Sequence, residues 1–126
     1  MKLNILLVVA AAIGAVFGAV FVVSPGPVAA IYGVTLDKPG MLFAQLFGAA
    51  IIGFAILDWF ARDVTDPTAR QAVVLANLIG DAVGFVVILL GQLAGIANAL
   101  GWTSVVIYLL LALGFAYFQF MAPRRA

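Results

Sequence analysis

The sequence predicts an all-α bundle of four transmembrane helices with both termini on the cytoplasmic side, and three observations carry that expectation. Of its 126 residues, 67% are hydrophobic and 9% charged, against about 25% charged in an ordinary soluble domain. A water-soluble chain of this length cannot hide so much apolar surface. The few charges fall between or at the ends of four apolar runs, with two exceptions, Asp58 near the end of the second and Asp81 within the third. The cations are also lopsided: in a four-span topology Lys2, Arg62, Arg70, Arg124 and Arg125 share one side and Lys38 stands alone on the other, the bias that marks cytoplasmic connections.

The first span covers residues 4–23. Its uncharged core, Ile5 to Val23, is roughly 28 Å long at about 1.5 Å per residue, close to the thickness of a bilayer's hydrocarbon core. Lys2, this apolar run and Val28-Ala29-Ala30 imitate a secretory signal, but the run is longer than the h-region of such a peptide, so it reads as a retained span. Ser24-Pro25-Gly26-Pro27 ends it, because each proline lacks an N–H and restricts its predecessor. In the outer connection that follows, Pro27 is placed to begin a short interfacial helix and Gly33 to end it.

The second span covers 41–61. It leads into Arg62-Asp63-Val64-Thr65-Asp66-Pro67, a helical hairpin in which Asp66 suits the N-cap and Pro67 the first helical position. The third span covers 71–94. From Ala82 to Pro123 there is no charge over 42 residues, too long for one crossing and suited to two. Gly91, Gly95, Asn98 and Gly101 mark the turn between them, and the fourth span covers 102–121. Trp59, Trp102 and Tyr117 fall near span ends, where interfacial aromatic residues gather. The chain reads as one domain without internal repeats.

Composition also excludes much chemistry. With no Cys and no His, there is no thiol nucleophile, imidazole base, disulfide or usual haem ligand. A net charge of +1 removes the counterion release that drives nucleic-acid binding. Neither serine, Ser24 nor Ser104, has a histidine to activate it, and the Gly-x-x-x-Gly spacings lie inside spans without the lysine of a phosphate loop. The expectation is a non-enzyme with no cofactor and no metal site.

The third span carries the one unusual pattern. At 100° per residue, Arg70, Asn77, Asp81, Ile88 and Gln92 fall on one stripe with Gly84, Gly91 and Gly95, opposite Leu75, Ile79, Val83, Val86, Leu90 and Leu93. The polar stripe should face other helices and the leucine-rich face lipid. Gly14 and Gly18 on the first span, and Ala44, Gly48, Ala49 and Gly53 on the second, offer small surfaces for close packing. Counting depth from the hairpin places Asp58 level with Arg70, predicting a salt bridge of Asp58 with Arg62 or Arg70. Asp81 then lies about 15 Å deeper, out of reach of Asp58 and of every cation. An aspartate at that depth costs about 2.5–3.5 kcal/mol on insertion scales. It acts with Asn77 either as a proton or cation relay or as a neutral, hydrogen-bonded packing residue. Gln45 and Gln92, at similar depth in the outer third, are expected to pair with each other.

The runs Leu46-Phe47-Gly48-Ala49-Ala50, Leu57 through Asp63, and Asn98-Ala99-Leu100-Gly101-Trp102 resemble those of small bacterial four-helix membrane proteins of unknown function, with a layout similar to DoxX-like proteins. The resemblance implies the four-helix fold and a bacterial inner-membrane location, and brings no activity or site residue. Three functions follow as expectations: an accessory or structural subunit of a membrane complex, partnered by lipids and by other subunits or further copies of itself; a small proton-coupled transporter or channel using Asp81; and a binder of lipids or other apolar ligands.

Overall fold

The protein, seen here in a computed structural model that describes residues 2–121, contains α1 (Leu3–Val23), α2 (Pro25–Ile31), α3 (Lys38–Ala61), α4 (Pro67–Leu93) and α5 (Gly101–Ala116), the last continued by a π-helical segment, Tyr117–Met121. Arg124 and Arg125, two of the cations in the charge asymmetry, lie outside the described residues. Four helices are long and apolar enough to cross a membrane: α1, α3, α4 and α5 with its continuation. The fold is therefore the expected all-α, four-span bundle of an integral membrane protein, with a short helix in the first connection.

Local chemistry explains the helix ends. Asp37 caps α3 by accepting from Gly40 N at 2.7 Å, and Asp66 caps α4 by accepting from Ala69 N at 2.8 Å. Each side-chain oxygen takes up a backbone N–H that the first turn leaves unpaired. Both helices consequently start before the apolar runs that reveal them in the sequence: α3 three residues ahead of Met41 and α4 four ahead of Gln71. The prolines act one step earlier than expected in the first connection, where Pro25 rather than Pro27 opens α2. Two helices end in the same device. Gly33 and Gly95 have φ of 75° and 74°; Val34 N donates to Ala29 O and Gly33 N to Ala30 O, as Ile96 N does to Gly91 O and Gly95 N to Gln92 O. These are paired Schellman bonds, which need a left-handed residue that glycine adopts without strain.

The spans pack as two antiparallel pairs. In the first, a Cβ on Gly18 would lie 2.8 Å from Gly48 O, and one on Gly48 2.7 Å from Gly18 O, so α1 and α3 cross backbone against backbone. Gly14 similarly faces Ile51 and Ala55. In the second pair, the Tyr108 ring of α5 lies against Gly84 of α4, where a Cβ would strike it. The pairs meet at one end of the bundle in a core of Leu3, Leu6, Leu7, Ala10, Ala61, Val74 and Phe115, with Leu6 lying on Gly114. Away from that core α3 and α4 barely touch. The lipid-facing residues expected on α4, Leu75, Ile79, Val83, Val86, Leu90 and Leu93, are all exposed.

Candidate functional site

Between the two helix pairs lies a cavity of about 670 Å³. Its walls are apolar, drawn from α1 (Phe17, Phe21), α3 (Ile51), α4 (Ile88) and α5 (Ile107, Leu111). Its polar side chains are Asp58 on α3, Asn77 and Asp81 one turn apart on α4, Ser104 and Tyr108 one turn apart on α5, and Tyr32 at the end of α2. The polar stripe of α4 thus faces inward, as its periodicity predicts. What it meets is Asp58 at Asn77, the open cavity at Asp81, the Tyr108 ring at Gly84, and the α4–α5 turn at Gln92.

Asp58 corrects the sequence reading. It is 2% exposed, and its Oδ1 accepts from Asn77 Nδ2 at 2.6 Å in place of a salt bridge to Arg62 or Arg70. Arg62 turns away: it lies over the Trp59 ring at 3.8 Å, donates to Trp59 O and approaches Asp63 at 3.5 Å. The cause is a shift of register. A flush hairpin would set Asp58 beside Arg70, but Asp58 meets Asn77 and Ala61 packs in one cluster with Val74. The first two turns of α4 run past the end of α3, a displacement of seven residues or about 10 Å. That displacement carries Arg70 away from Asp58 and brings Asp58 and Asp81 to one cavity, where a depth separation of about 15 Å was expected.

Gln45 and Gln92 do not pair. Gln45 Nε2 donates to Val22 O at 3.0 Å, within the α1–α3 pair, and Gln92 Nε2 donates to Asn98 O at 2.9 Å, in the α4–α5 turn. Each amide serves its own helix pair, because the cavity holds the two pairs apart. Nor does Asn77 bond to Asp81. Its second hydrogen bond runs from Nδ2 to Val73 O at 3.0 Å.

The consequence is an imbalance of hydrogen-bonding capacity. An amide side chain has two N–H donors, and Asn77 spends them on Asp58 and Val73. What remains toward the cavity accepts: the second oxygen of Asp58, the Oδ1 of Asn77 and the carboxylate of Asp81. Asp81 Oδ2 is buried and has no partner among the described residues. Only the hydroxyls of Tyr32, Ser104 and Tyr108 can supply side-chain donors among the lining residues, and no lysine or arginine lines the cavity. An unmatched acceptor in such surroundings costs about 1–3 kcal/mol. Among the described residues no three His, Cys, Asp or Glu side chains gather to hold a metal ion.

Residue counting overlooked Ser104 and Tyr108 although a signal was present: 104, 108 and 111 share one face of α5 and all line the cavity. Asn98, read as a turn marker, is a second such case. Its backbone N donates to Tyr32 O at 2.8 Å, its Nδ2 to Ile31 O at 2.9 Å, and its Oδ1 accepts from Leu100 N at 3.0 Å. It ties the α4–α5 turn to the end of α2. No family model, curated protein or solved structure matches the chain, so the chemistry of the cavity is what speaks to function.

Proposed function

We propose that the protein is a membrane-embedded binding protein for an amphipathic small molecule, whose apolar body fills the cavity and whose head group carries N–H or O–H donors. The observation behind this reading is the acceptor-rich, donor-poor polar cluster formed by Asp58, Asn77 and Asp81 within apolar walls. Sites for small molecules combine those two features, a mostly apolar lining and a few convergent polar groups. A protonated amine is the best complement, since it offers both the missing donors and the missing positive charge. This reading is preferred to an accessory-subunit role because that role gives no use to two buried carboxylates in one cavity.

Native mass spectrometry of protein released from nanodiscs tests the proposal. An adduct of a few hundred daltons should accompany the parent protein, on the order of drug-sized ligands, and should be lost from Asp58→Asn with Asp81→Asn. A parent protein that carries no adduct and binds no amphiphilic amine would sink the reading.

A second reading rests on the same pair. Two acids facing one cavity provide the second deep carboxylate that a proton relay through Asp81 needs, so ligand and protons can compete for them. The titratable groups facing the cavity are Asp58, Asp81 and Tyr108 from α3, α4 and α5 and Tyr32 at the end of α2, with none from α1. Proton release on ligand binding in weakly buffered micelles would support exchange; its absence would leave a simple binder. We further propose a bacterial inner-membrane location, with both termini cytoplasmic on the asymmetry of the cations.

A further inference from the structure

The two ends of the cavity differ from its sides. At one end Leu7 and Phe115, 2% and 0% exposed, close it within the apolar core. At the other, the half-buried Tyr32, Val34, Leu36 and Ala97 form the wall with Ile96, 63% accessible, at its rim, and Asn98 holds the two connections together through Ile31 and Tyr32. The sides differ from one another. α1 and α3 are in backbone contact at Gly18 and Gly48, and α4 and α5 are sealed at Gly84 and Tyr108. Toward α1 and α5 the lining residues Phe17, Phe21, Ile107 and Leu111 are half-buried. Toward α3 and α4 the lining is exposed: Phe47 is 45%, Val83 58% and Val87 64% accessible. Gly80, also in the wall, would carry a Cβ into empty space.

We propose that the cavity opens sideways, into the hydrocarbon of the bilayer, through a slot between α3 and α4 flanked by Phe47, Val83 and Val87, so that the ligand is a membrane-dissolved amphiphile and not a water-soluble amine. The inference rests on the binding function proposed above and adds its substrate class and route. Val83 lies ten residues before the end of α4, or about 15 Å along the helix, at the depth of lipid tails. Asp81, two residues earlier on the same helix, sets an acceptor just inside the slot, so a donor-bearing head group has a short apolar passage. Asp58, 2% exposed with one oxygen unmatched by any donor among the described residues, lies beyond it.

The chain has no cysteine, which permits a clean test. Phe47→Cys with Val83→Cys is purified folded, placed in phosphatidylcholine nanodiscs and joined by a cleavable bismaleimide. Binding of dodecylamine is followed in time, with butylamine as the soluble competitor and Asn98→Ala as the control at the end that Asn98 ties. The expected result is saturable dodecylamine binding that becomes about tenfold slower on cross-linking and recovers when the linker is cleaved, with no competition from butylamine. Recovery on cleavage excludes misfolding as the cause. If dodecylamine binds but the cross-link leaves its rate unchanged, or butylamine competes equally, or Asn98→Ala and not the cross-link alters the rate, the slot is wrong while the binding function stands. If dodecylamine fails to bind the uncross-linked protein at all, the binding function falls and the slot with it.

Discussion

Asn77 organises the polar cluster because its amide is the one donor among the described residues that reaches Asp58. Removing it leaves a carboxylate that is 2% exposed without its hydrogen bond, and Asn77→Ala should cost about 1–3 kcal/mol, seen as a lower unfolding temperature in detergent. Asp58→Asn retains a carbonyl oxygen to accept from Asn77, so its loss should be the smaller of the two. The opposite order would mean that the bond contributes little. Arg62 provides the contrast. Its contacts are with Trp59 and with Asp63, which is exposed, and surface ion pairs contribute about 0–1 kcal/mol. Arg62→Ala and Arg70→Ala should therefore shift stability by about 0.5 kcal/mol or less, a result that a salt bridge to the buried Asp58 would not allow.

The helices owe their pairing to small residues, and not every glycine shares in it. Gly18 and Gly48 stand where any side chain would strike the opposing backbone. Without a hydrophobic force between helices in lipid, such close approach is what association depends on. Gly18→Leu or Gly48→Leu should destabilise the α1–α3 pair by about 1–3 kcal/mol, the usual cost of overpacking, measured by thermal unfolding in the same detergent. Gly53, four residues from Ala49 and equally eligible by spacing, faces open space; Gly53→Ala should be harmless. Equal losses at positions 48 and 53 would contradict the crossing point. Spacing nominates small residues, but only the helix rotation selects among them.

For the whole molecule the decisive feature is that two tight pairs meet at an apolar core, at the Asn77–Asp58 bond and at the Asn98 tie, with the cavity between. Asn98→Ala removes the bonds to Ile31 O and from Leu100 N, each worth about 1 kcal/mol net. Amide exchange over residues 31–34 should then accelerate about tenfold or more, while the middle of α1 is unchanged. Unaltered exchange there would show that the backbone bond to Tyr32 suffices. Orientation is checked separately: Lys38→Cys should react with an impermeant maleimide from outside intact cells and Asp63→Cys only after lysis. The reverse labelling would invert the molecule.

The four spans, their caps at Asp37 and Asp66, the Schellman glycines at 33 and 95 and the inward face of α4 follow from local rules: apolar length, unpaired N–H groups, left-handed φ and a 3.6-residue period. The spans, the cap at Asp66, Gly33 as a helix end, Gly95 as a turn and the inward stripe are legible in the sequence. The partners of Asp58, Gln45 and Gln92 do not follow from such rules, and each was expected elsewhere. They depend on how far α4 slides along α3 and on which helices pair. A slide of two turns conserves the periodicity of both helices, so no periodic signal records it. The cavity is the difference between the surfaces of two packed pairs, a quantity that exists only once the pairs are in place. Asp81 was conspicuous from its sequence surroundings alone, but that it shares its space with Asp58, and that this space adjoins the lipid, was decided by packing.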